Sequence, residues 1–387
     1  MSIPNRWEEW VSEFEAWRNE IGFDDNLIQD YKFEAKYAPL DSDLIEFGDY
    51  KGQKKWKTTR DVPDQRIRDS LLHLIVYQGD TEFASVEQQR HLVKTAPTDY
   101  DLKSLIRVMS EEMRHGWQMC HVMMQNFGRT GAIEAQKQLK RRSLGMQQRT
   151  GKSGARLLGS FNVDCDDWID FFTFTQFIDR DGKFQLKMLS HGAYLPLSES
   201  MGPMLKEEAF HMGTGNNGLL RIGKARKIPV PLLQKYFYKW VPTGYDLFGG
   251  DNSSTAEWAY VWGVKGRPDE WTEKSDPDKR ELNDYSRTCY HNELKELTDQ
   301  LNKKIEEAGG NEKIHLPDMK FNRAIGRYAV KRDEAGKPVA NTTDAYGVPM
   351  APEKFDAYVR SLALTAQDKQ QLAKIFADGD WIAPTRF

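Results

Sequence analysis

Hydrophobic residues recur at three- and four-residue spacing along much of the chain, a pattern that predicts amphipathic helices. The first such stripe consists of Trp7, Trp10, Phe14 and Trp17, and we interpret it as core packing. Residues 21–65 are mixed in polarity and interrupted by Gly and Asp, so we expect loops with little regular structure there. The chain is therefore predicted to begin with one helix and an irregular cap.

Four longer helical segments follow. The first runs from about Asp64 to Val93, and the second covers residues 99–126. After a basic helical segment, a strongly aromatic helix starts near Asp166, and a fourth long helix follows the break at Pro196. Four helices with short connections are typical of a helical bundle, so we predict a mainly α, ferritin-like four-helix bundle with additional helices.

In the C-terminal third, the helical spacing of hydrophobic residues is less regular. A helical run begins beyond Pro229, and another helix is expected at about 280–308, whereas the residues between them are rich in Gly and Ser. Residues 309–352 are polar and rich in Pro and Gly, with short strands expected near Phe321–Lys331. We predict one structural domain overall, which consists of a cap (1–65), the bundle (66–308) and an irregular C-terminal extension (309–387).

The composition, with 39% hydrophobic and 29% charged residues among 387, is that of a soluble globular protein. A net charge of −3 gives no general attraction to nucleic acid, and no apolar run approaches the length of a membrane span. The N-terminus lacks a signal-peptide pattern. The three widely spaced cysteines indicate thiols in a reducing compartment. We therefore expect a cytoplasmic protein that binds neither nucleic acid nor membranes.

Two Glu-x-x-His pairs are the most informative chemical pattern in the chain. They are Glu112 with His115 and Glu208 with His211. Residues three apart share one face of a helix, so each pair points both side chains the same way. A single pair of this kind is usually part of a solvated helix face. Two pairs, each preceded by an acid at a similar distance along the chain, rarely arise by chance.

Each pair follows a lone acid at nearly the same distance, Glu82 in one case and Asp179 in the other. About thirty residues suffice for the rest of one helix, a short loop and the start of the next. An acid on one helix and Glu-x-x-His on its neighbour form half of a dimetal site. Carboxylate and imidazole ligands suit iron or manganese. The predicted ligands are Glu82, Glu112, His115, Asp179, Glu208 and His211.

Two further acids precede the ligand glutamates. Metal-bound imidazoles usually donate their other N–H to a carboxylate or a carbonyl. Glu207 is a candidate for this role towards His115, and Glu111 is a candidate towards His211. The alternative is that both are surface acids.

Polar residues lie one helical turn before each lone acid. They are Gln78 and Thr175, which would face the site if their helices are regular. We treat both as catalytic candidates that contact bound oxygen or water. The alternative is that they merely satisfy a backbone carbonyl. Four phenylalanines near Thr175 are candidate cavity walls, although at least half of them must be ordinary core: Phe171, Phe172, Phe174 and Phe177.

A basic stretch separates the two half-sites. A solvated helix face is one interpretation. The other is a phosphate-binding cradle for a charged carrier such as coenzyme A, formed by cofactor-binding residues Lys137, Lys140, Arg141 and Arg142 together with Arg149, Lys152 and Arg156. A match to G-x-G-x-x-G at Gly213–Gly218 follows a predicted helix rather than a strand, so it does not predict dinucleotide binding.

Several stretches around the predicted ligands closely resemble the BoxB family, the oxygenase component of benzoyl-CoA 2,3-epoxidase. They are QGDTEFASVEQQRHLVKTAPTDYDL, SEEMRH, FIDRDGKFQL and EEAFH, and the later runs GYDLFGGDNSSTAEWAY and FNRAIGRYAV are also similar. The resemblance extends from about residue 68 through most of the remaining chain. It maps the family's iron ligands onto the same six residues that the spacing predicts.

The resemblance implies a helical bundle that binds two iron ions and uses O2 as co-substrate. It further implies epoxidation of an aromatic ring activated as an acyl-CoA thioester, with electrons that reach the protein from NADPH through a separate reductase. The absence of flavin and iron–sulfur motifs in this chain agrees with a separate reductase. This chain is shorter than family members, and its N-terminal region and tail diverge.

Two other hypotheses compete with this interpretation. The first is a related di-iron mono- or N-oxygenase that acts on another aromatic or amine substrate in a biosynthetic pathway. The second is a metal-storage or structural bundle without enzymatic activity. Storage of the ferritin type needs a small shell-forming subunit, which this long chain does not resemble.

Overall fold

The protein is mainly α-helical, as the sequence predicts, with a ferritin-like fold and additional helices. The computed structural model describes residues 6–23, 25–28, 31–151, 154–249, 254–267, 282–321, 331–332, 338–339 and 342–385. Within these residues, the helices are α1 (Trp7–Glu20), α2 (Asp25–Ile28), α3 (Gln65–Gln89), α4 (Asp99–Asn126), α5 (Gly128–Lys140), α6 (Leu144–Thr150), α7 (Trp168–Ser190), α8 (Leu195–Ala225), α9 (Val230–Phe248), α10 (Ser254–Val261), α11 (Leu282–Glu307), α12 (Pro352–Ser361) and α13 (Ala366–Asp378). Two-residue strands, β1 (Lys331–Arg332) and β2 (Pro338–Val339), pair antiparallel.

The chain forms two compact units. The first unit comprises residues 1–166, 185–207 and 254–280, and the second comprises residues 167–184, 208–253 and 281–387. Helices α7 and α8 each contribute residues to both units. The predicted division of the chain at residues 65 and 308 stays a prediction.

In the first unit, α3 and α4 pack side by side in opposite directions. A Cβ atom added to Gly79 would lie 3.1 Å from Met119 Cβ, and one added to Gly116 would lie 2.6 Å from the Phe83 ring. These two contacts occur in reverse order along the helices, as antiparallel packing requires. Gly79, which lies one turn before Glu82, therefore permits α3 and α4 to approach closely.

A buried group of ions ties the segment after α5 to α3. Arg156 Nη1 lies 3.1 Å from Asp80 Oδ1, and Arg156 Nη2 lies 2.7 Å from Glu87 Oε1. The backbone N–H of Leu157 donates to Asp80, and that of Ser143 donates to Glu87. Buried charges are stable when they are paired and hydrogen-bonded in this way. The segment after α5 is thus held against α3 at Asp80, which precedes Glu82, and at Glu87, which follows it.

In the second unit, the glycines of the G-x-G-x-x-G match lie inside α8 and not in a phosphate-binding turn. A Cβ atom on Gly215 would lie 2.6 Å from Thr175 Oγ1, and one on Gly218 would lie 2.2 Å from the Phe172 ring. Their small size allows α8 to approach α7 closely. The match therefore lacks the turn between a strand and a helix that a dinucleotide-binding motif requires.

The structure corrects some predicted boundaries. Pro196 lies in the first turn of α8 rather than in a break before it, because proline is tolerated where the backbone N–H has no helical acceptor. The described part of the chain beyond residue 342 contains two helices, and the second begins with a capping box formed by Thr365 and Asp368. Of the segment where strands were expected, residues 322–330 lie outside the described residues.

No described helix is both long enough and apolar enough to cross a membrane. The three cysteines all lie in the described part of the chain, and no disulfide joins them. Cys120 and Cys165 are buried in the first unit. The cytoplasmic location stays a prediction.

Candidate metal centre

The first half-site consists of Glu82 from α3 and of Glu112 and His115 from α4. His115 Nδ1 lies 3.4 Å from Glu82 Oε2, and one potential ligand atom from each of the three residues lies within 4.8 Å of the others. All three residues are buried. Antiparallel packing of α3 on α4 places the upstream acid beside the Glu-x-x-His pair, as the sequence spacing predicts.

Glu207 supports this half-site from α8. Its Oε2 lies 2.9 Å from His115 Nε2, the ring nitrogen on the side away from Glu82, so this predicted contact is confirmed. Arg114 donates to both carboxylate oxygens of Glu207, and Lys36 Nζ lies 3.2 Å from Oε1. Burial alone would raise the pKa of Glu207, but hydrogen bonds and positive charge from His115 and Arg114 hold it at about 2.

This arrangement leaves Nδ1 of His115 directed at Glu82 while Nε2 bonds to Glu207. A carboxylate on the distal nitrogen fixes both the tautomer and the orientation of a metal-binding imidazole. The geometry is therefore suited to metal binding through Nδ1.

The second half-site consists of Asp179 from α7 and of Glu208 and His211 from α8. His211 Nδ1 lies 3.3 Å from Glu208 Oε2 and 3.9 Å from Asp179 Oδ2. The three residues are buried, and their ligand atoms satisfy the same 4.8 Å criterion as the first half-site. Both half-sites thus place an imidazole Nδ1 against two carboxylates.

The residues present fit a metal ion in each half-site. Each half-site contains two buried carboxylates and one buried imidazole, which are the ligand types that iron and manganese accept. Buried carboxylates side by side repel each other and are costly without a compensating cation. A divalent ion would supply that positive charge.

The two catalytic candidates differ in their contacts. Gln78 donates from Nε2 to Oε1 of Glu82, so it holds one oxygen of a predicted ligand. Thr175 donates from Oγ1 to the carbonyl of Phe171, at 3.0 Å, within its own helix. This backbone contact corresponds to the alternative interpretation for Thr175. The catalytic roles of both residues stay predictions.

The predicted CoA-binding residues are largely engaged with acids of the first unit. Lys137 pairs with Glu134, Arg141 lies near Asp80, and Arg142 is buried against Glu20. Lys140 is exposed. Lys152 lies outside the described residues, and the side chain of Arg149 is not described. Arg156 belongs to the buried ion group with Asp80 and Glu87.

The four phenylalanines of α7 are all buried. Three of them pack on protein neighbours in the second unit: Phe172 on Gly218, Phe174 on the Trp240 ring, and Phe177 on the Phe237 ring. These contacts are those of core residues, as expected for at least half of the group.

Two residues that hold Glu207 were not predicted from the sequence. Arg114 lies within the first Glu-x-x-His pair and is fully buried, yet a charge at that position ordinarily predicts an exposed side chain. Lys36 comes from the irregular segment, 171 residues away from Glu207. Glu111 is also buried and accepts from Arg107 Nε at 2.9 Å, while its predicted role towards His211 stays a prediction.

Comparison with known proteins relates this chain to an oxygenase component. No family model matches the chain. The sequence is 35% identical over 345 residues to the benzoyl-CoA oxygenase component B of Aromatoleum evansii, with 78% of this chain and 71% of the relative covered. Identity at this level across most of both chains confirms the family that the sequence motifs suggest. The chain belongs to the benzoyl-CoA oxygenase component B family, a family of oxygenases.

Proposed function

We propose that the two half-sites together bind two iron ions and that the protein is a di-iron monooxygenase. The observation that supports this most directly is the pair of buried Glu-x-x-His half-sites, each with its own upstream acid. Four carboxylates would balance the charge of two divalent ions, and family membership adds the oxygenase activity. Bound iron would supply the reduction of O2 and the transfer of one oxygen atom.

The substrate we propose is an aromatic acyl-CoA thioester such as benzoyl-CoA, which the protein would convert to a ring epoxide. The name of the relative supports a benzoyl-CoA substrate, and the words "component B" support a separate partner component. We propose that this partner is a reductase that passes electrons from NADPH. The residues of this chain would orient the ring, exclude water and hold the iron ligands in place.

Within the chain, we assign Glu207 and Gln78 to positioning. Glu207 orients His115 through its distal nitrogen, and Gln78 restrains one oxygen of Glu82. For the CoA phosphates, we propose Lys137 and Lys140, because their side chains reach solvent on α5. Arg141 and Arg142 are better suited to holding the fold, since both lie against acids and are mostly buried.

The test is anaerobic reconstitution with iron and a reductant, followed by isotopically labelled O2. Benzoyl-CoA, free benzoate and an aromatic amine are offered separately, and products are detected by mass. We expect one labelled oxygen atom in the CoA thioester and none in the other two compounds.

Two outcomes would contradict the proposal. Oxygen in the amine or the free acid alone would support the alternative of a mono- or N-oxygenase with another substrate. Two bound metals without oxygen consumption in the presence of any substrate would support a storage or structural role.

A further inference from the structure

The segment around Lys36 joins α4 to α8 within the first unit. The backbone N–H of Lys36 donates to Gln118 Oε1 on α4 at 2.6 Å, and that of Ala38 donates to the Glu199 carbonyl on α8 at 2.9 Å. Gln118 also donates from Nε2 to Ser200 Oγ on α8, at 2.8 Å. The segment is therefore held on both helices, although its own backbone is neither helix nor strand.

This backbone position brings the Lys36 side chain to a residue that supports the first half-site. Lys36 Nζ lies 3.2 Å from Oε1 of Glu207, and Oε2 of the same carboxylate lies 2.9 Å from His115 Nε2. Glu207 thus meets a lysine through one oxygen and a predicted metal ligand through the other. Two contacts connect the ammonium group of Lys36 to the imidazole of His115.

The contact with Lys36 restricts a torsion that is loose in glutamate. The side chain itself limits rotation of its terminal carboxylate only weakly. Arg114 donates to both oxygens of Glu207, whereas Lys36 contacts Oε1. Attraction between Lys36 and Oε1 favours the rotamer in which Oε2 faces His115. Lys36 therefore adds an orientation preference to the charge that Arg114 supplies.

Solvent reaches this group of residues at the Lys36 end. The side chain of Lys36 is 39% exposed, compared with 13% for Glu207 and 0% for Arg114. Dissolved salt screens exposed charge pairs strongly and buried pairs much less. The contact between Lys36 and Glu207 should therefore weaken as ionic strength rises, while the contact between Arg114 and Glu207 should persist.

From these contacts, we propose that Lys36 is a positioning residue for the first half-site, that it acts through Glu207 on His115, and that salt weakens this action. The role rests on the proposed metal centre. It adds to that centre a residue from the irregular segment and a dependence on ionic strength that is confined to one of the two half-sites.

The test measures binding of Co²⁺ to the full-length, metal-free protein by visible absorption, in competition with a chelator. Binding is compared at ionic strengths of about 0.01 M and about 1 M, between which the Debye length falls from about 30 Å to about 3 Å. Lys36→Met should weaken one of the two Co²⁺ binding steps about two- to fivefold at low ionic strength, as expected for a partly exposed pair. At high ionic strength, the variant and the wild type should bind nearly alike.

Three variants separate the charge of Lys36 from the packing of its segment. Lys36→Arg keeps the charge and should restore wild-type binding. Lys32→Met removes an exposed lysine of the same segment and is the matched control, which should bind like the wild type. Tyr37→Phe removes the contact of the Tyr37 hydroxyl with His121 Nδ1, at 2.9 Å, but keeps Lys36. It should therefore retain both the affinity and the salt dependence, and urea unfolding shows that each variant is folded.

Three results would contradict the role of Lys36. The first is wild-type affinity in Lys36→Met at low ionic strength, and the second is a loss of the same size at both ionic strengths. The third is an equal loss in Lys36→Met and Tyr37→Phe, which would assign the effect to packing of the segment. Failure of the proposed metal centre gives a different result, because the wild type itself would then bind no Co²⁺ at either ionic strength.

Discussion

The two half-sites reach similar ligand arrangements by different means. In both, an acid and a Glu-x-x-His pair come from adjacent helices, and the imidazole Nδ1 faces the carboxylates. The first half-site uses Glu82, at 3.4 Å from its histidine, whereas the second uses the shorter Asp179, at 3.9 Å. Because aspartate has one methylene group less than glutamate, the Asp179 carboxylate reaches less far from its helix than the Glu82 carboxylate does.

The surroundings of the two half-sites differ more than the ligands do. Around the first half-site, ion pairs hold the ligands in place. Glu207 contacts both His115 and Arg114, and Arg156 pairs with Glu87 on α3. Around the second, steric fit sets positions, since Gly215 and Gly218 bring α8 against α7. Charge changes should therefore disturb the first half-site most, and changes in side-chain size should disturb the second.

The largest effect is expected from removing a ligand in either half-site. Glu112→Ala and His211→Ala should each abolish iron binding and turnover together, because each removes one donor from a small ligand set. Iron is measured by elemental analysis and turnover by oxygen consumption. His73→Ala, an exposed histidine on α3, is the control and should retain both. If either ligand variant kept its full metal content and turnover, the six-residue assignment would be wrong.

A smaller effect is expected when the support of His115 is weakened without loss of a ligand. Glu207→Gln keeps the shape of the side chain but removes the charge that faces His115 and Arg114. Loss of such a support typically lowers metal affinity about 10- to 100-fold. Competition with a chelator measures the change. Glu296→Gln, at an exposed position on α11, is the control and should leave metal affinity unchanged. If Glu207→Gln also left metal affinity unchanged, Glu207 would not position His115.

The ion group on α3 should matter for stability in its own right. Arg156→Met removes the nearest cation from buried Asp80 and Glu87, which keep only Arg141 at 3.4 Å and Arg142 at 3.9 Å, and breaking a buried pair costs up to about 3–5 kcal/mol. Thermal and urea unfolding report the loss. Arg129→Met, which removes an exposed arginine, should stay within about 0.5 kcal/mol of the wild type. Similar losses in both variants would show that the buried group is not what holds α3.

The smallest effect, and the one specific to the second half-site, concerns two glycines of the same helix. Gly218→Ala would place a methyl group 2.2 Å from the Phe172 ring, and overpacking of this kind costs about 1–3 kcal/mol. Gly213→Ala meets no atom within 4 Å and should stabilise α8 by about 0.5–1 kcal/mol. Unfolding midpoints compare the two. Equal shifts would argue against close approach of α7 and α8.

The spacing of residues along the sequence was sufficient to predict which side chains share one face of a helix. The spacing of Glu112 and His115 predicts their common face, and the upstream position of Glu82 predicts the neighbouring helix. The position of Glu207 beside His115 was also predicted, because an acid next to the second pair can reach the first. Each of these inferences needs only helical geometry and the direction of packing.

Contacts between distant residues were not predictable in this way. Arg142 pairs with Glu20, which lies 122 residues away, so the basic stretch looked like a solvated or phosphate-binding face. Buried charge looks the same as exposed charge in sequence, because only the tertiary neighbours distinguish them. The helix α13 is a different case, since its Thr365-x-x-Asp368 capping box is a local signal in the sequence.

We propose that each half-site holds one iron ion. The most direct measurement is the iron content of the purified wild-type chain after anaerobic reconstitution and removal of loosely bound metal. We expect two iron ions per chain. A value of one, or no retained iron, would contradict the assignment of two complete half-sites.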